Sequence, residues 1–364
     1  MASVTPWTRT SVAVDDRMGI TMTPHVDPRH LLAVLGLATE FRSRTGIVRA
    51  VDRVDLDVRT GEIVGLVGES GSGKSITAYS ILGLVPEPGS VVEGEVWFQG
   101  HDLRKKSPHE MRRLRGAQIS MIFQEPLSAL NPLLRVRDQV GDVLRVHLGL
   151  SKEATRRRVS ELLDHVGIPA PDHVADSYPF QLSGGMRQRV LIAMAIACSP
   201  ALLIADEPST ALDVTVQAQI MDLLRRLVEQ DGVSVLLITH DIGVVAQMCD
   251  RVYVMYAGRM AEHGTSHELL LSPEHPYSSA LLGCVPSAQR RGETLRSIEG
   301  VVPVAFAGDA GCRFADRCGY AQDRCRVDVP PLIEVSPTHA AACHFVGRLG
   351  MPGVPIHATS RGST

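Results

Sequence analysis

One stretch of eight residues restricts the fold of this chain more than any other. Gly68–Ser75 reads Gly-Glu-Ser-Gly-Ser-Gly-Lys-Ser, and it directly follows Glu62–Val67, a short apolar run typical of a buried strand. A glycine-rich loop between a strand and a helix turns backbone N–H groups toward phosphate. The pattern therefore predicts an α/β fold of the P-loop NTPase type, with a nucleotide site at the end of this strand.

The residue types of the loop fit that chemistry. Gly68, Gly71 and Gly73 permit the backbone angles that turn several N–H groups inward. Lys74 can reach the β- and γ-phosphates of a nucleotide, and the Ser75 hydroxyl can hold Mg²⁺. A glycine-rich turn with an incidental lysine is the alternative, and the strand and helix signals on either side argue against it.

A carboxylate ends a second apolar run, Ala201–Asp206. Asp206 is predicted to anchor Mg²⁺ at the edge of the sheet. Glu207, directly after it, is predicted to polarise the attacking water as a general base. An acidic helix cap before Pro208 would also explain this Asp-Glu-Pro sequence, but the phosphate-binding loop makes the catalytic interpretation the better one.

The heptapeptide Leu182–Gln188 reads Leu-Ser-Gly-Gly-Met-Arg-Gln and opens a helix-like run. Few ATPases combine it with a phosphate loop, and the combination resembles the ATPase subunits of ABC transporters. The resemblance implies a parallel-sheet RecA-like subdomain, an antiparallel β subdomain and a helical subdomain. It also implies binding and hydrolysis of ATP with Mg²⁺.

Three further positions match that family residue by residue. Gln124 ends an apolar strand and is similar to the Q-loop glutamine, which contacts Mg²⁺ or its water. His240 is similar to the switch histidine at the γ-phosphate. Asp213 ends the Ser-Thr-Ala-Leu-Asp sequence of the D-loop, which in the family crosses to the partner subunit. Taken alone, a Gln after a strand carries no information about function, and a lone His at a strand end is more often structural.

The resemblance implies a defined set of site residues. The catalytic residues would be Lys74, Gln124, Glu207 and His240, and the Mg²⁺ ligands Ser75, Gln124 and Asp206. The ATP-binding residues would be Gly68, Ser70, Gly71, Gly73, Lys74, Ser75, Ile76, Gln124 and Asp206.

The signature heptapeptide is expected to serve a second subunit. In the family, two subunits pack head to tail, and each signature closes on the ATP of the other. Ser183, Gly184, Gly185 and Gln188, together with Asp213, would therefore act in trans. The chain should be inactive alone, and its partner ATPase would be an identical or homologous chain.

Adenine binding is left open by the sequence. ABC ATPases usually stack the base on an aromatic residue before the phosphate loop. Phe41 is the nearest aromatic residue, but a family-like register places the stacking position closer to Thr45 and Gly46. The sequence is therefore compatible with adenine stacking that is weak or supplied by Arg side chains, and with a core role for Phe41 as well as a stacking role.

Charge and hydropathy exclude some functions. A formal charge of −3 over 364 residues gives no electrostatic case for binding nucleic acid. No segment approaches the ~18 to 20 consecutive apolar residues that span a bilayer. The N-terminal residues also lack the apolar region of a secretory signal.

The motifs divide the chain into expected regions. Between about Pro126 and Pro179 the β-signal disappears, and Val136–Leu148 and Glu153–Val166 have helical spacing. We expect a flexible N-terminal extension at 1–29, an ABC ATPase domain at 30–270 with its helical subdomain at about 126–180, a C-terminal domain at 271–346 and a flexible tail at 347–364.

The C-terminal residues narrow the resemblance to one branch of the family. His275-Pro-Tyr277, Gly300–Pro303, Gly311–Phe314 and Ala341–His344 look like the extension of oligopeptide, dipeptide and nickel importer ATPases. This implies an ATP-hydrolysing, energy-coupling subunit of a bacterial peptide importer, peripheral at the cytoplasmic face of the inner membrane. Its partners would be two transmembrane permeases, a second ATPase subunit and an extracellular solute-binding protein.

A competing interpretation is a soluble ABC ATPase that acts on nucleic acid and uses its cysteines to bind metal. Such proteins typically carry paired ATPase cores, or long coiled-coil or zinc insertions within the core. This chain has one core and a modest helical insertion, which favours the importer.

Four cysteines of the extension form a candidate metal site: Cys312, Cys318, Cys325 and Cys343. Their spacing does not fit the C-x₂₋₄-C pairs of structural zinc sites, and the reducing cytosol disfavours a disulfide. Four thiolates can bind a [4Fe-4S] cluster, and related importer ATPases carry one at corresponding cysteines. Zinc and unliganded thiols remain alternatives. Nearby arginines (Arg313, Arg317 and Arg324) would offset the charge of a cluster.

Overall fold

A computed structural model describes residues 29–44, 46–124, 129–210, 212–284, 297–351 and 353. The chain divides into two compact units, each assembled from three segments. Unit 1 consists of 1–33, 57–63 and 96–237, and unit 2 of 34–56, 64–95 and 238–364. Nearly all of the expected N-terminal extension and most of the expected C-terminal tail lie outside the described residues.

Strands contribute to both units. In chain order they are β1 (His30–Ser43), β2 (Gly46–Arg59), β3 (Ile63–Val67), β4 (Gly89–Phe98), β5 (His101–Asp102), β6 (Ile119–Ile122), β7 (Leu202–Asp206), β8 (Ser234–Thr239), β9 (Arg251–Tyr256), β10 (Arg259–Thr265), β11 (Ile333–Ser336) and β12 (His339–Ala341).

Helices separate most of these strands. In chain order they are α1 (Lys74–Leu82), α2 (Pro108–Leu114), α3 (Val136–Leu148), α4 (Lys152–His165), α5 (Pro171–Ala175), α6 (Gly184–Ile196), α7 (Val214–Asp231), α8 (Ile242–Met248), α9 (Ser266–Leu271), α10 (Pro276–Gly283) and α11 (Asp323–Val327).

Unit 1 contains a parallel sheet and a helical region. Strands β6 and β7 pair in parallel, with Ile119 opposite Leu202 and Ile122 opposite Ala205. Every residue of β7 is buried. The apolar residues 202–205 fit this position, because a parallel strand is covered on both faces. The carboxyl ends of both strands therefore meet at one edge of the sheet.

Helices α3 to α6 form the helical region of unit 1. The predicted helix at Val136–Leu148 is present with the same bounds, and the second predicted helix runs from Lys152 to His165. A left-handed glycine, Gly149, ends α3, and Ser151 caps α4 through its hydroxyl. Both helices bury aliphatic residues such as Leu144 and Leu162. Between residues 129 and 181 the described chain contains no strand, as the sequence predicts.

Unit 2 contains a mixed sheet in the order β11-β12-β10-β9-β3. Strand β3 is fully buried and pairs in parallel with β9, whereas β9 and β10 form an antiparallel hairpin. The C-terminal strand β12 pairs with β10, with Ala341 opposite Glu262. The cysteine-bearing extension thus shares a sheet with the strand that leads into the phosphate loop.

A buried ion pair fixes β12 to that sheet. The ring of His339 contacts the Glu262 carboxylate at 2.7 Å, and Glu262 also accepts backbone N–H bonds from Glu274 and His275. Burial opposes a charge on His339, but the hydrogen bond and the charge of Glu262 outweigh it and raise the pKa of the imidazole. A charged imidazole is therefore favoured at this contact.

Candidate functional site

The phosphate loop of unit 2 has a backbone that only glycine can adopt at two of its positions. Gly68 and Gly73 have φ angles of 157° and 104°. A Cβ on Gly68 would lie 2.2 Å from the Met255 carbonyl oxygen, and one on Gly73 would lie 2.3 Å from that of Ala50. At these two glycines the loop backbone therefore lies too close to β9 and β2 to leave room for a side chain.

The Lys74 side chain lies within the loop and forms hydrogen bonds to its backbone. Its side chain is 5% exposed, and its ammonium group donates to the carbonyl oxygens of Gly68 at 2.8 Å and Glu69 at 2.9 Å. Helix α1 begins at Lys74, and Gly73 provides no side-chain cap for its first N–H groups. These donors and the ammonium group form a site for an anion such as a phosphate.

The other predicted residues of this loop lie around Lys74. Ser75 and Ile76 are half-buried in the first turn of α1, whereas Ser70 and Gly71 are exposed at the tip of the loop. His240, also in unit 2, is exposed directly after β8. Asp241 caps the following helix by accepting the N–H of Gly243 at 2.8 Å.

Two residues of the C-terminal region form hydrogen bonds to Glu69 of the phosphate loop. The sequence did not predict these contacts. The Glu69 N–H donates to the Tyr277 hydroxyl at 2.8 Å, and the Glu69 carboxylate binds both terminal nitrogens of Arg317, at 2.7 and 3.0 Å. Tyr277 is fully buried, and Arg317 also donates to the Tyr256 hydroxyl at 3.2 Å. The His-Pro-Tyr sequence indicated that Tyr277 belongs to the C-terminal extension, but no feature of the sequence connected this residue with Glu69.

The neighbouring His275 positions Tyr277. It is the N-cap of α10, and its Nδ1 accepts the Tyr277 N–H at 3.0 Å. Complete burial lowers the pKa of His275 to about 4, although the charge of Glu262 acts in the opposite direction. The imidazole is therefore neutral and serves as an acceptor.

Unit 1 brings two of the predicted catalytic residues together. Gln124 follows β6 and Glu207 follows β7, and the Gln124 amide donates to Glu207 Oε2 at 3.0 Å. The Thr210 hydroxyl donates to the same oxygen at 2.8 Å. Asp206, the last residue of β7, is fully buried. The parallel pairing of β6 and β7 accounts for this arrangement, because it ends both strands at one edge.

The signature residues and the D-loop are also neighbours in unit 1. The Ser183 hydroxyl caps α6 by accepting the Met186 N–H, and Asp213 caps α7 by accepting the Val216 N–H at 2.9 Å. A Cβ on Gly185 would lie 2.7 Å from the Val216 side chain, so a larger residue would separate the two helices. Within the motif, Gly184 lies near Leu212 of the D-loop, and Gln188 is buried.

The four predicted cysteines line one cavity of ≈ 20 Å³ in unit 2, together with the aromatic rings of Phe314, Tyr320 and Phe345. Burial, and then the neighbouring thiols, raise the pKa of Cys312 to about 11. Among the described residues, no group of three or more His, Cys, Asp or Glu side chains is arranged to hold a metal ion. The predicted cluster is therefore not supported by the arrangement of these side chains.

The arginines near the cysteines bind carboxylates elsewhere in unit 2. Arg313 contacts Asp52 at 2.8 Å, and Arg324 contacts Asp328 at 3.3 Å. Arg317 binds Glu69, as described above. The expectation that they offset the charge of a cluster has no support in these contacts, because each guanidinium group already has an anionic partner.

Comparison with known proteins accounts for both the phosphate loop and the extension. The family model "ABC transporter" matches residues 51–210, and the model "Oligopeptide/dipeptide transporter, C-terminal region" matches 261–325. The dipeptide transport ATP-binding protein DppD of Escherichia coli is 47% identical over 315 residues, which are 86% of this chain and 96% of that protein. The chain belongs to the ATP-binding subunits of ABC transporters.

Other relatives give the same assignment. DppD of Bacillus subtilis is 48% identical over 86% of this chain and 94% of its own length. A putative peptide import ATP-binding protein of Brucella ovis is 47% identical over 86% of this chain and 96% of its own length. These relatives are transport proteins, so they do not favour the alternative of an ATPase that acts on nucleic acid.

Solved structures confirm the predicted ABC ATPase fold. The ATP-binding cassette MJ0796, solved as a dimer in a post-hydrolysis state with ADP and Pi, has a TM-score of 0.59 and 31% identity, and covers 65% of this chain and 98% of its own. CbiO1 of Clostridium perfringens, part of the transporter complex cbiONQ, has a TM-score of 0.57 and 29% identity, and covers 66% of this chain and 90% of its own. The chain is thus an ABC ATPase, and the C-terminal region of its family branch supplies the contacts to Glu69.

Proposed function

We propose that this ABC ATPase is the energy-coupling subunit of a bacterial importer of dipeptides or oligopeptides. The observation that supports this most strongly is that the C-terminal region matching the oligopeptide/dipeptide transporter model binds Glu69 of the phosphate loop through Tyr277 and Arg317. The named relatives are dipeptide and peptide import proteins.

The proposed reaction is hydrolysis of ATP. The N–H groups at the start of α1 and the Lys74 ammonium bind the phosphates, while Glu207, oriented by Gln124 and Thr210, accepts a proton from the attacking water. His240 contacts the γ-phosphate. The residues Ser75, Gln124 and Asp206 would hold Mg²⁺, which supplies charge neutralisation at the phosphates when bound.

The proposed assembly contains several other proteins. Two transmembrane permeases carry the solute, an extracellular binding protein delivers it, and a second ATPase subunit completes the ATP sites through the signature residues Ser183 to Gln188. In the part of the chain that the structure describes, no helix has both the length and the apolar character needed to cross a bilayer. Because the relatives are ATP-binding subunits of transport systems, we place the chain as a peripheral subunit on the cytoplasmic face of the inner membrane, bound to the permeases.

Uptake of a labelled dipeptide by cells that lack this gene tests the function. We expect the wild-type gene to restore ATP-dependent uptake and a Lys74→Ala variant to fail, with both chains present in the membrane fraction. Uptake that is independent of the gene, together with salt-sensitive binding of the purified chain to nucleic acid, would contradict the proposal and favour the alternative.

We further propose that the four-cysteine cavity binds a [4Fe-4S] cluster. The residue types support this, since cluster ligation requires four thiolates and four cysteines border one cavity, although their side chains would have to move closer together than in the arrangement described above. Backbone N–H groups of Phe314, Tyr320 and Phe345 also donate to sulfur, each two residues after a cysteine. Iron analysis of anaerobically purified protein tests the proposal. Colourless protein with no iron would contradict it, and zinc at one ion per chain would replace it.

A further inference from the structure

The C-terminal region adds a short segment to the free edge of β2. The Arg49 N–H donates to the Ala305 carbonyl at 2.9 Å, and the Ala307 N–H donates to the Ile47 carbonyl at 2.9 Å. Val48 and Phe306 are opposed in an antiparallel bridge. A residue of the extension, more than 200 positions away in the chain, thus lies beside the segment in which the sequence places adenine stacking.

Phe306 shares a face of this pair of strands with Val48 and Gly46. Opposed residues of an antiparallel pair project to the same side, and so do residues two apart on one strand. The ring confirms this, because Phe306 Cδ1 lies 3.5 Å from the position that a Cβ on Gly46 would take. Phe306 is half-buried, and Gly46 itself places no side chain against the ring.

The same strand passes the phosphate loop at Ala50. The Ala50 carbonyl oxygen lies 2.3 Å from where a Cβ on Gly73 would be, so β2 and the loop are in direct contact at this point. At about 3.3 Å per residue, Val48 lies roughly 7 Å and Gly46 roughly 13 Å back along the strand. A nucleotide whose phosphates lie at the loop extends its ribose and base over a distance of this order.

Phe41 is occupied by packing contacts. A Cβ on Gly89 would lie 2.5 Å from the Phe41 ring and 2.7 Å from the Val85 side chain. The ring therefore lies directly against the backbone of Gly89. Phe41, which is half-buried like Phe306, therefore has a packing role against Gly89, whereas Phe306 is the aromatic residue that lies beside Gly46.

We propose that Phe306 of the C-terminal region forms the stacking surface for the adenine base of ATP. Adenine presents a flat π-face, and stacking of a base on an aromatic side chain is favourable whatever its hydrogen-bonding edge. The extension then contributes to the nucleotide site twice, through Phe306 at the base and through Arg317 and Tyr277 at the phosphate loop. The inference rests on the proposed function, because it requires ATP at that loop.

Binding of two ligands to the full-length chain tests this role. MgATP carries the base, whereas inorganic triphosphate with Mg²⁺ occupies only the phosphate loop. We expect Phe306→Ala to weaken MgATP binding by about 5- to 150-fold, the range expected for loss of one base stack. Binding of triphosphate should be unchanged, and Phe306→Tyr should restore the affinity for MgATP.

Matched variants separate stacking from a general disturbance. Val327→Ala alters an exposed residue of α11, which is outside this pair of strands, and should bind both ligands as the wild type does. Unchanged MgATP binding in Phe306→Ala, or an equal loss for MgATP and triphosphate, would overturn the inference. A loss of MgATP binding in Phe41→Ala alone would assign the base to Phe41 instead. If the wild-type chain bound neither ligand, the proposed function would fail as well.

Discussion

Glu207 is held in a backbone conformation that residues other than glycine adopt at a cost. Its φ of 46° is in the left-handed region, which costs on the order of 1 to 2 kcal/mol. Its carboxylate accepts hydrogen bonds from both Gln124 and Thr210. A side chain fixed in this way, directly after the buried Asp206, is suited to orient a water molecule rather than to move freely.

Replacing Glu207 with glutamine should therefore affect chemistry more than binding. We expect Glu207→Gln to lower the ATPase turnover of the assembled transporter by about 10² to 10⁴-fold, because an amide cannot accept the proton. The dissociation constant of MgATP should change little. Turnover and nucleotide binding are measured on the same preparation, with Glu229→Gln, an exposed carboxylate of α7, as the control. Near-normal turnover would show that Glu207 is not the base.

The neutral imidazole of His275 predicts a dependence of stability on pH. Its pKa of about 4 in the folded chain is below the ordinary value of 6.5 for histidine, because the ring is buried. Protonation therefore favours the unfolded chain, so this contribution is complete above pH 6.5 and is lost as the pH falls toward 4. The slope is at most about 1.4 kcal/mol per pH unit.

A histidine-to-asparagine exchange isolates this contribution. Asparagine keeps an acceptor for the Tyr277 N–H at the start of α10 but does not titrate. We expect denaturant midpoints of His275→Asn to fall less between pH 7 and 5 than those of the wild type. His267→Asn, an exposed residue of α9, should follow the wild type. Identical pH profiles for the wild type and His275→Asn would contradict the prediction.

At the scale of elements, the C-terminal region buttresses the phosphate loop. Helix α10 presents Tyr277 to the backbone of Glu69, and the turn before Cys318 presents Arg317 to its carboxylate. Arg317 is also fixed by the Glu299 carbonyl oxygen, at 2.7 Å. A planar guanidinium group binding two carboxylate oxygens gives a directional contact. The backbone N–H and the carboxylate of Glu69 are thus held by residues that follow the loop by more than 200 positions.

Removing the contact between Glu69 and Arg317 should make the phosphate loop more mobile, while its glycines and Lys74 remain unchanged. We expect a coupling energy of about 1.5 to 3 kcal/mol between Glu69 and Arg317 for MgATP binding, as for hydrogen bonds between charged groups. The measurement is a double-mutant cycle of Glu69→Gln and Arg317→Ala. Arg324→Ala, which removes only an exposed pair with Asp328, is the matched control. Additive effects of the two changes would mean that the contact does not support binding.

At the scale of the whole molecule, the signature residues and the D-loop lie side by side in unit 1. Ser183 caps α6, and Gly185 packs closely against α7 beside the D-loop, so both motifs belong to one surface of unit 1. The related cassette MJ0796 has been solved twice as a dimer, in one case with ADP and Pi. The head-to-tail arrangement implied by the family would bring this surface to a second subunit.

Hydrolysis should therefore depend on a second ATPase subunit. We expect the isolated chain to bind MgATP but to hydrolyse it slowly at low concentration, and turnover per chain to rise when the partner or the permease complex is added. Titration of the chain against its partner with phosphate release as the readout provides the test. A turnover per chain that is high and independent of concentration in the nanomolar range would contradict action in trans.

Local sequence predicted the elements whose geometry arises within a few residues. The loop Gly68–Ser75, the buried strand before it and the helix after it form one continuous segment, so composition and order fix its backbone. The helices at Val136–Leu148 and 152–165 follow from apolar spacing in the same way. The meeting of Gln124 and Glu207 could be expected too, because both follow parallel strands.

The sequence by itself determined the ABC ATPase fold, the phosphate loop and the residue types available for ATP hydrolysis. The tertiary structure decided what surrounds them: Arg317 and Tyr277 against Glu69, the arginines paired away from the cysteines, and Phe306 beside Gly46. The physical reason is separation along the chain. The glycines of a short loop determine its backbone conformation locally. An ion pair or ring contact between residues far apart in the chain depends instead on how the sheet between them brings them together.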